Sequence, residues 1–388
     1  MRDFTFYAPT KVFFGKNREK DVGSIIKSYG FKKIMLQYGQ NSIKKTGLYD
    51  VVMTSLNAEG IEVVEMGGVE PNPKLEFIRE AVKIAKSENV ELILAVGGGS
   101  VIDSSKFTAL GAANDFDVWE LPLGKSQPTA ALPVGCVLTL AAAGSEMSAS
   151  AVMTNMEENI KKGFGSDYNR CLFAICNPEL TYTVNKYHTA CGIVDIMSHT
   201  MERYFFPCED TPLTDRIAEG ILKSVITAGR TLMKDPENYE ARADMMWASS
   251  LSHNNLTGCG RENALAVHQL EHALSGEFDH IAHGAGLAVL FPAWARFVYT
   301  ANTARFALFA RNVWEINDAD DNSAALKGIE AMADFFKEIG MPSTLKEFGV
   351  ENCADRLAEL CTFGKTRVIN SYIPLDFETV KAIFNICY

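Results

Sequence analysis

No two cysteines in this chain stand in a C-x-x-C arrangement, which removes thiolate zinc knuckles and thioredoxin-like redox motifs. The nine cysteines, scattered from Cys136 to Cys387 and including Cys208, are odd in number, the pattern of free, mostly buried thiols in a reducing cytoplasm. No apolar run approaches the roughly 20 residues of a membrane span. The opening residues, Met1-Arg2-Asp3-Phe4-Thr5, carry no signal-peptide core, so a cytoplasmic address is expected. Positive charge is short as well: 37 Lys and Arg stand against 48 Asp and Glu, a net charge of −11. With no Lys/Arg cluster there is no electrostatic footprint for nucleic acid or an anionic membrane, and neither is expected as a partner. What is left is an ordinary globular composition, 47% hydrophobic and 22% charged, over 388 residues.

The first 180 residues or so alternate between two periodicities. Short β-branched or apolar runs at Lys33–Tyr38, Ile61–Met66 and Glu91–Val96 are separated by amphipathic stretches at Leu48–Ala58 and Leu75–Ser87. That rhythm predicts parallel strands joined by helical crossovers, a doubly wound α/β layer. Two more strands are predicted within Ala130–Thr139 and Cys171–Cys176. Near Asn177-Pro178-Glu179 the alternation stops. Ala190–Arg203, Thr214–Lys234, Asn238–Leu256, Asn263–Leu274 and Ala324–Ile339 then read as helices. The expected organisation is an α/β domain over 1–183 and an all-helical domain over 184–388.

Two patterns carry chemistry. In Glu91–Asp103 a strand runs into Gly97-Gly98-Gly99-Ser100 and then a helix, with Ser100 placed as N-cap and Asp103 in a capping-box-like position. Without Cβ atoms a phosphate can approach the backbone, where the N–H groups of a helix start point at it. A second turn, Tyr38-Gly39-Gln40-Asn41-Ser42, ends the first strand of the rhythm. In dinucleotide sites an acidic residue after such a strand receives the ribose hydroxyls. Here Gly39 and the nearby Lys44 and Lys45 remove that repulsion against a 2′-phosphate. The other pattern is histidine: four of the seven in the chain lie between His268 and His283. His268 and His272 are four apart, one turn of a helix, and Asp195 and His199 repeat the spacing. An Asp and three His at such spacings suit a divalent metal bound by imidazole and carboxylate, Fe(II), Zn(II), Mn(II) or Ni(II). His188 and His253 stand apart from this set and read as ordinary structural histidines.

Set side by side, these motifs make the sequence resemble the iron-containing (group III) alcohol dehydrogenases, and within them the NADPH-dependent butanol dehydrogenases. The resemblance runs from Phe4–Gly15 through Pro71-Asn72-Pro73, Gly97–Ser100, Gly144-Ser145-Glu146 and Asp195–His199 to His283-Gly284-Ala285-Gly286-Leu287-Ala288. It implies an N-terminal Rossmann-like dinucleotide-binding domain and a C-terminal helical metal-binding domain. It also implies a metal held by Asp195, His199, His268 and His283, with His272 relaying protons as the catalytic residue. His283 rather than the nearby His280 matches the terminal ligand, because it precedes Gly-Ala-Gly-Leu-Ala. The cofactor positions carry over onto Gly39, Ser42, Asn72, Gly97, Gly98, Ser100, Asp103, Thr139, Leu140, Lys162 (or Lys161) and Thr183.

Two departures bear on the cofactor. Relatives preferring NADP often have Gly-Gly-Gly-Ser where this chain has Gly39-Gln40-Asn41-Ser42, and Ala143 stands where a threonine commonly precedes Gly-Ser-Glu. The implied activity is hydride transfer between NADP(H), or NAD(H), and a small primary alcohol or aldehyde, with Fe2+, Zn2+ or another divalent ion. Members of the family commonly dimerise, so a homodimer is expected. The competing reading is a metal-dependent lyase of the dehydroquinate synthase type. Its phosphorylated acidic substrate calls for a basic lining, and only Arg203 and Arg261 lie close in sequence to the implied ligands.

Overall fold

The computed structural model describes residues 1–206, 211–262 and 264–388. Cys208, counted among the free thiols, and Asn263, the expected start of a helix, lie outside the described residues. The eight cysteines within them are all free, six of them buried. No helix is long and apolar enough to cross a membrane among the described residues.

The chain forms two units, Tyr7–Val184 and Met1–Phe6 together with Asn185–Tyr388. The first holds strands β1 (Lys11–Phe14), β2 (Lys33–Tyr38), β3 (Glu62–Gly67), β4 (Leu92–Gly97), β5 (Val134–Leu138), β6 (Ser150–Asn155), β7 (Ile160–Gly165) and β8 (Phe173–Cys176). Its helices are α1 (Val22–Ser28), α2 (Ser42–Lys45), α3 (Leu48–Ala58), α4 (Leu75–Ser87) and α5 (Gly99–Ala112). A parallel strand covered on both faces must be apolar almost throughout. β4 and β5 are buried at every residue and β2 at all but its first. Two successive residues of β2 show what covers each face. Gln37 meets Thr108 of α5 through its amide at 2.9 Å, while the Tyr38 ring lies edge-on to Tyr49 of α3.

Six strands form one parallel sheet in the order β1-β8-β5-β4-β2-β3. From β2 the chain steps outward to β3, then returns to place β4 on the other side of β2. The topological switch point therefore falls between β2 and β4, where such sheets leave a crevice at the carboxyl ends of their strands. The register puts Tyr38 beside Val96 and Gly97 beside Leu138, so Gly39, Gly97 and Thr139 come to one edge of the sheet.

The second unit is helical: α6 (Lys186–Tyr204), α7 (Pro212–Lys234), α8 (Tyr239–His253), α9 (Ala266–Glu277), α10 (His283–Val298), α11 (Thr303–Trp314), α12 (Asp321–Glu338), α13 (Ala354–Cys361) and α14 (Phe377–Ile386). Helix α6 is buried on all sides from Thr189 to Tyr204, and α7, α8 and α10 pack on it. Asn185 caps it, its side chain accepting from the His188 N–H. Aromatic stacking closes the far end, with Phe205 and Phe306 ring centres 4.4 Å apart. The six N-terminal residues join this unit, the Arg2 N–H donating to the Gly260 carbonyl at 3.0 Å.

Candidate metal centre and phosphate cradle

One turn of α6 separates Asp195 from His199, and the Asp195 Oδ1 lies 3.1 Å from the His199 Nδ1. Helix α9 brings His268 to the same oxygen, its Nε2 at 3.6 Å, and the first residue of α10, His283, brings its Nε2 to 3.8 Å. A divalent ion with bonds of about 2.1 Å holds neighbouring donors about 3–3.5 Å apart; the three nitrogens stand near that distance from the carboxylate oxygen, and the donor atoms of Asp195, His199 and His268 all lie within 4.8 Å of one another. The Asp195 Oδ1 and the His268 Nε2 are buried and make no hydrogen bond. Leaving such atoms unsatisfied costs about 1–3 kcal/mol each, more for a charge, and a cation between them removes that cost. The residues fit a divalent ion.

Electrostatics points the same way. Burial would raise the Asp195 carboxyl, but His199, His268 and His283 hold it well below the usual carboxylate range. Burial and the neighbouring His268 push His199 down to about 4 despite Asp195. At neutral pH this pair is therefore an anion and a neutral imidazole, the forms that bind metal. Burial alone would lower His268, but Asp195 and Glu202 outweigh it and hold the imidazole at about 9. A cation at the centre competes with that proton.

Behind the donors stands a layer the sequence reading missed. The Glu202 Oε1 lies 3.1 Å from the His268 Nδ1 and also accepts the His268 backbone N–H at 2.8 Å. On the other side, Glu271 meets the Nδ1 of His283. Carboxylates at Nδ1 leave Nε2 as the metal-facing nitrogen of both rings. His253, read as an isolated structural histidine, instead packs its ring 4.0 Å from that of His199. Arg203 lies 3.1 Å from the His253 Nδ1 and donates to the His199 carbonyl at 2.6 Å. Burial pushes His253 well below its ordinary pKa, so its Nδ1 accepts from Arg203. His272 is half-buried, its donor atom grouped with those of Glu271 and His283. His280 is exposed and turned to the Phe348 carbonyl, 3.4 Å away, so it is His283 that reaches Asp195. His188 is exposed beside Tyr187.

In the α/β unit, α5 begins at Gly99 with Gly98 as its N-cap, so Ser100 lies inside the first turn and is not the cap. The reason is local: the Gly98 carbonyl already accepts from the N–H groups of Val101 and Ile102, which starts the helix before Ser100. A Cβ at Gly97 would lie 2.5 Å from the Val101 side chain, and one at Gly98 would lie 3.3 Å from the Leu140 Cβ. The turn is thus a close-walled cradle that accepts no side chain at Gly97, while Thr139 ties its wall to the strand through an N–H to the Gly97 carbonyl. Asp103, expected among the cofactor-binding residues and as a capping partner, faces inward. Its oxygens take the Ser145 hydroxyl at 2.5 Å and the Val152 N–H at 2.9 Å. One helical turn on, the buried Lys106 donates to Ser145, Ser148 and Ser150. Together the two residues fasten the Ser145–Val152 segment to α5.

The remaining expected cofactor residues are spread around the sheet. Gly39 follows β2, and Ser42 is the exposed first residue of α2. Asn72 takes a left-handed conformation, φ 52°, between its two prolines. Lys162 pairs with Met153 across the β6–β7 hairpin, and Thr183 is exposed. Lys44 does not extend freely: its ammonium lies 5.1 and 4.8 Å from the ring centres of Tyr38 and Tyr49, whose hydroxyls both donate to Glu65.

Comparison with known proteins bears on both units. Residues 9–178 match the family model described as iron-containing alcohol dehydrogenase, and residues 189–388 the C-terminal model of the Fe-containing alcohol dehydrogenase family. The chain is 40% identical to NADH-dependent butanol dehydrogenase A of Clostridium acetobutylicum, covering all of both chains. It is 36% identical to an NADPH-dependent aldehyde reductase of Escherichia coli over 90% of each. Among solved structures, the NADH-dependent butanol dehydrogenase A of Thermotoga maritima superposes with a TM-score of 0.96 at 38% identity, covering 100% of this chain and 99% of that one.

Proposed function

The chain belongs to the iron-containing alcohol dehydrogenase family and is an NAD(P)-dependent alcohol/aldehyde oxidoreductase; on that premise we propose that Asp195, His199, His268 and His283 hold its metal and that small primary alcohols and aldehydes of about butanol size are its substrates. The observation that carries the ligand assignment is the convergence of three imidazole nitrogens on the buried, unpartnered Asp195 Oδ1. The lyase alternative is not favoured, because the matching families and curated relatives are dehydrogenases and reductases.

When bound, the cation supplies Lewis acidity toward the substrate oxygen, and the nicotinamide gives or takes the hydride. The protein's own residues do the rest. With a divalent cation held there, Asp195 would bring one negative charge and neutral imidazoles none, leaving ion and ligands net positive toward the substrate oxygen. His272, half-buried beside His283, exchanges the hydroxyl proton with solvent, general acid/base work for which an imidazole is suited. Gly97, Gly98 and the start of α5 take the pyrophosphate, with Gly39 and Ser42 toward the adenosine ribose. The butanol dehydrogenases among the relatives carry NADH in their names and the aldehyde reductase NADPH, so both cofactors are represented among them. Metal-replete protein given butanal should oxidise NADH or NADPH, followed by nicotinamide absorbance. No oxidation with any small straight-chain aldehyde contradicts the reading.

A further inference from the structure

Glu271 is fully buried on α9, three residues after His268 and one before His272. Taking a carboxylate out of water costs free energy unless it is paired, so its position needs a physical reason. Its partner is the Nδ1 of His283, at the start of α10. The facing helix is shaped to admit it. A Cβ at Gly286 would lie 3.1 Å from the Glu271 Cγ and 3.2 Å from its Oε1, so α10 carries a notch without side chain where the glutamate fits. The neighbouring donor repeats the arrangement with an unrelated residue, since Glu202 of α6 stands at the Nδ1 of His268.

The three rings differ in how the rest of the protein holds them. The His199 and His268 side chains are only 6% and 5% exposed, fixed by packing, whereas His283 is 26% exposed and open on one side. A ring so placed can turn over or take the other tautomer unless a partner forbids it. With a carboxylate at Nδ1, the proton stays there and the lone pair of Nε2 faces the Asp195 Oδ1, 3.8 Å away.

We propose that Glu271 is a positioning residue for the metal centre: by holding the Nδ1–H of His283 it fixes the tautomer and plane of that ring, so that Nε2 is set for a divalent cation before the ion arrives. This rests on the ligand set proposed above. Its test is the affinity of metal-free enzyme for Zn2+, measured by competition with a chromophoric chelator. Glu271→Leu should bind Zn2+ roughly 10- to 100-fold more weakly, the usual effect of losing such a partner. Glu271→Gln, whose amide oxygen still accepts from Nδ1, should lose less than the leucine variant. A cooperative unfolding transition of metal-free Glu271→Leu is measured alongside, because removing one partner of a buried pair destabilises by itself. Weaker binding then reports on the ligand and not on collapse of the fold. Should the leucine variant not fold, Gly286→Ala presses a methyl group onto Glu271 and should also weaken Zn2+ binding. Parental affinity in the folded Glu271→Leu variant, or in Gly286→Ala where that variant does not fold, overturns the positioning role if His283→Ala binds weakly. Parental affinity in His283→Ala overturns the ligand set itself, and the positioning role with it.

Discussion

The imidazoles of His272 and His283 lie with ring centres 5.8 Å apart and planes 33° from parallel, one ring at the proposed metal and the other half open to water. That pairing gives the two histidines different work. His272→Ala should keep its metal while losing turnover by roughly 10- to 10⁴-fold, the range of a lost proton-transfer group. Metal content and butanal reduction measured on the same preparation separate the two effects. Loss of metal in His272→Ala would make it a ligand.

Acid sensitivity of the helical unit should trace to Asp215, in the first turn of α7. Arg261 donates to its Oδ1 at 2.6 Å and Arg305 to its Oδ2 at 2.7 Å. Burial would raise this carboxyl, but the two guanidinium groups hold it below the usual range. A carboxyl with a lowered folded-state pKa stabilises fully above its unfolded value, about 3.9, and loses that contribution as pH falls through the folded value. Asp215→Asn should therefore cost about 2 kcal/mol at pH 7. The gap in unfolding midpoint between variant and parent should narrow below about pH 4. A gap independent of pH would contradict this.

Cofactor choice should depend on Gly39 more than on Lys44. A Cβ at Gly39 would meet only the Val69 carbonyl, at 3.6 Å, so an aspartate fits there without strain. Gly39→Asp should move the NADPH-to-NADH ratio of kcat/KM toward NADH by at least about tenfold, or about 1.4 kcal/mol. Lys44 is held over Tyr38 and Tyr49. Lys44→Ala should leave that ratio within about twofold. A large loss of NADPH preference in Lys44→Ala would show that the lysine leaves its aromatic seat to meet a 2′-phosphate.

Where one helix or one strand carries the information, the sequence was readable. Asp195 and His199 share a face of α6 by spacing alone, and β2, α3 and α4 fall at Lys33–Tyr38, Leu48–Ala58 and Leu75–Ser87 as the apolar pattern predicts. Glu202 was within reach of the same logic, since it lies seven residues after Asp195, two turns along that face. His253 was not. It comes from α8 and meets His199 only through helix packing, and nothing in its local sequence marks the contact. The role of Asp103 escaped for a similar reason: its partners are 42 and 49 residues away. The β6–β7 hairpin was missed because β7, Ile-Lys-Lys-Gly-Phe-Gly, has two adjacent lysines, two glycines and only two apolar residues, and β1 because a four-residue edge strand is half exposed.

The proposed centre is four residues sharing one ion. The most direct measurement is metal per chain in the parent and in His268→Ala, both reloaded anaerobically with Fe2+ and freed of excess. The parent should hold one tightly bound ion per chain and reduce butanal. His268→Ala, missing the donor whose Nε2 is buried without a partner, should hold none and show no turnover. One tightly bound ion per chain in His268→Ala, with the fold intact, would contradict the proposed centre.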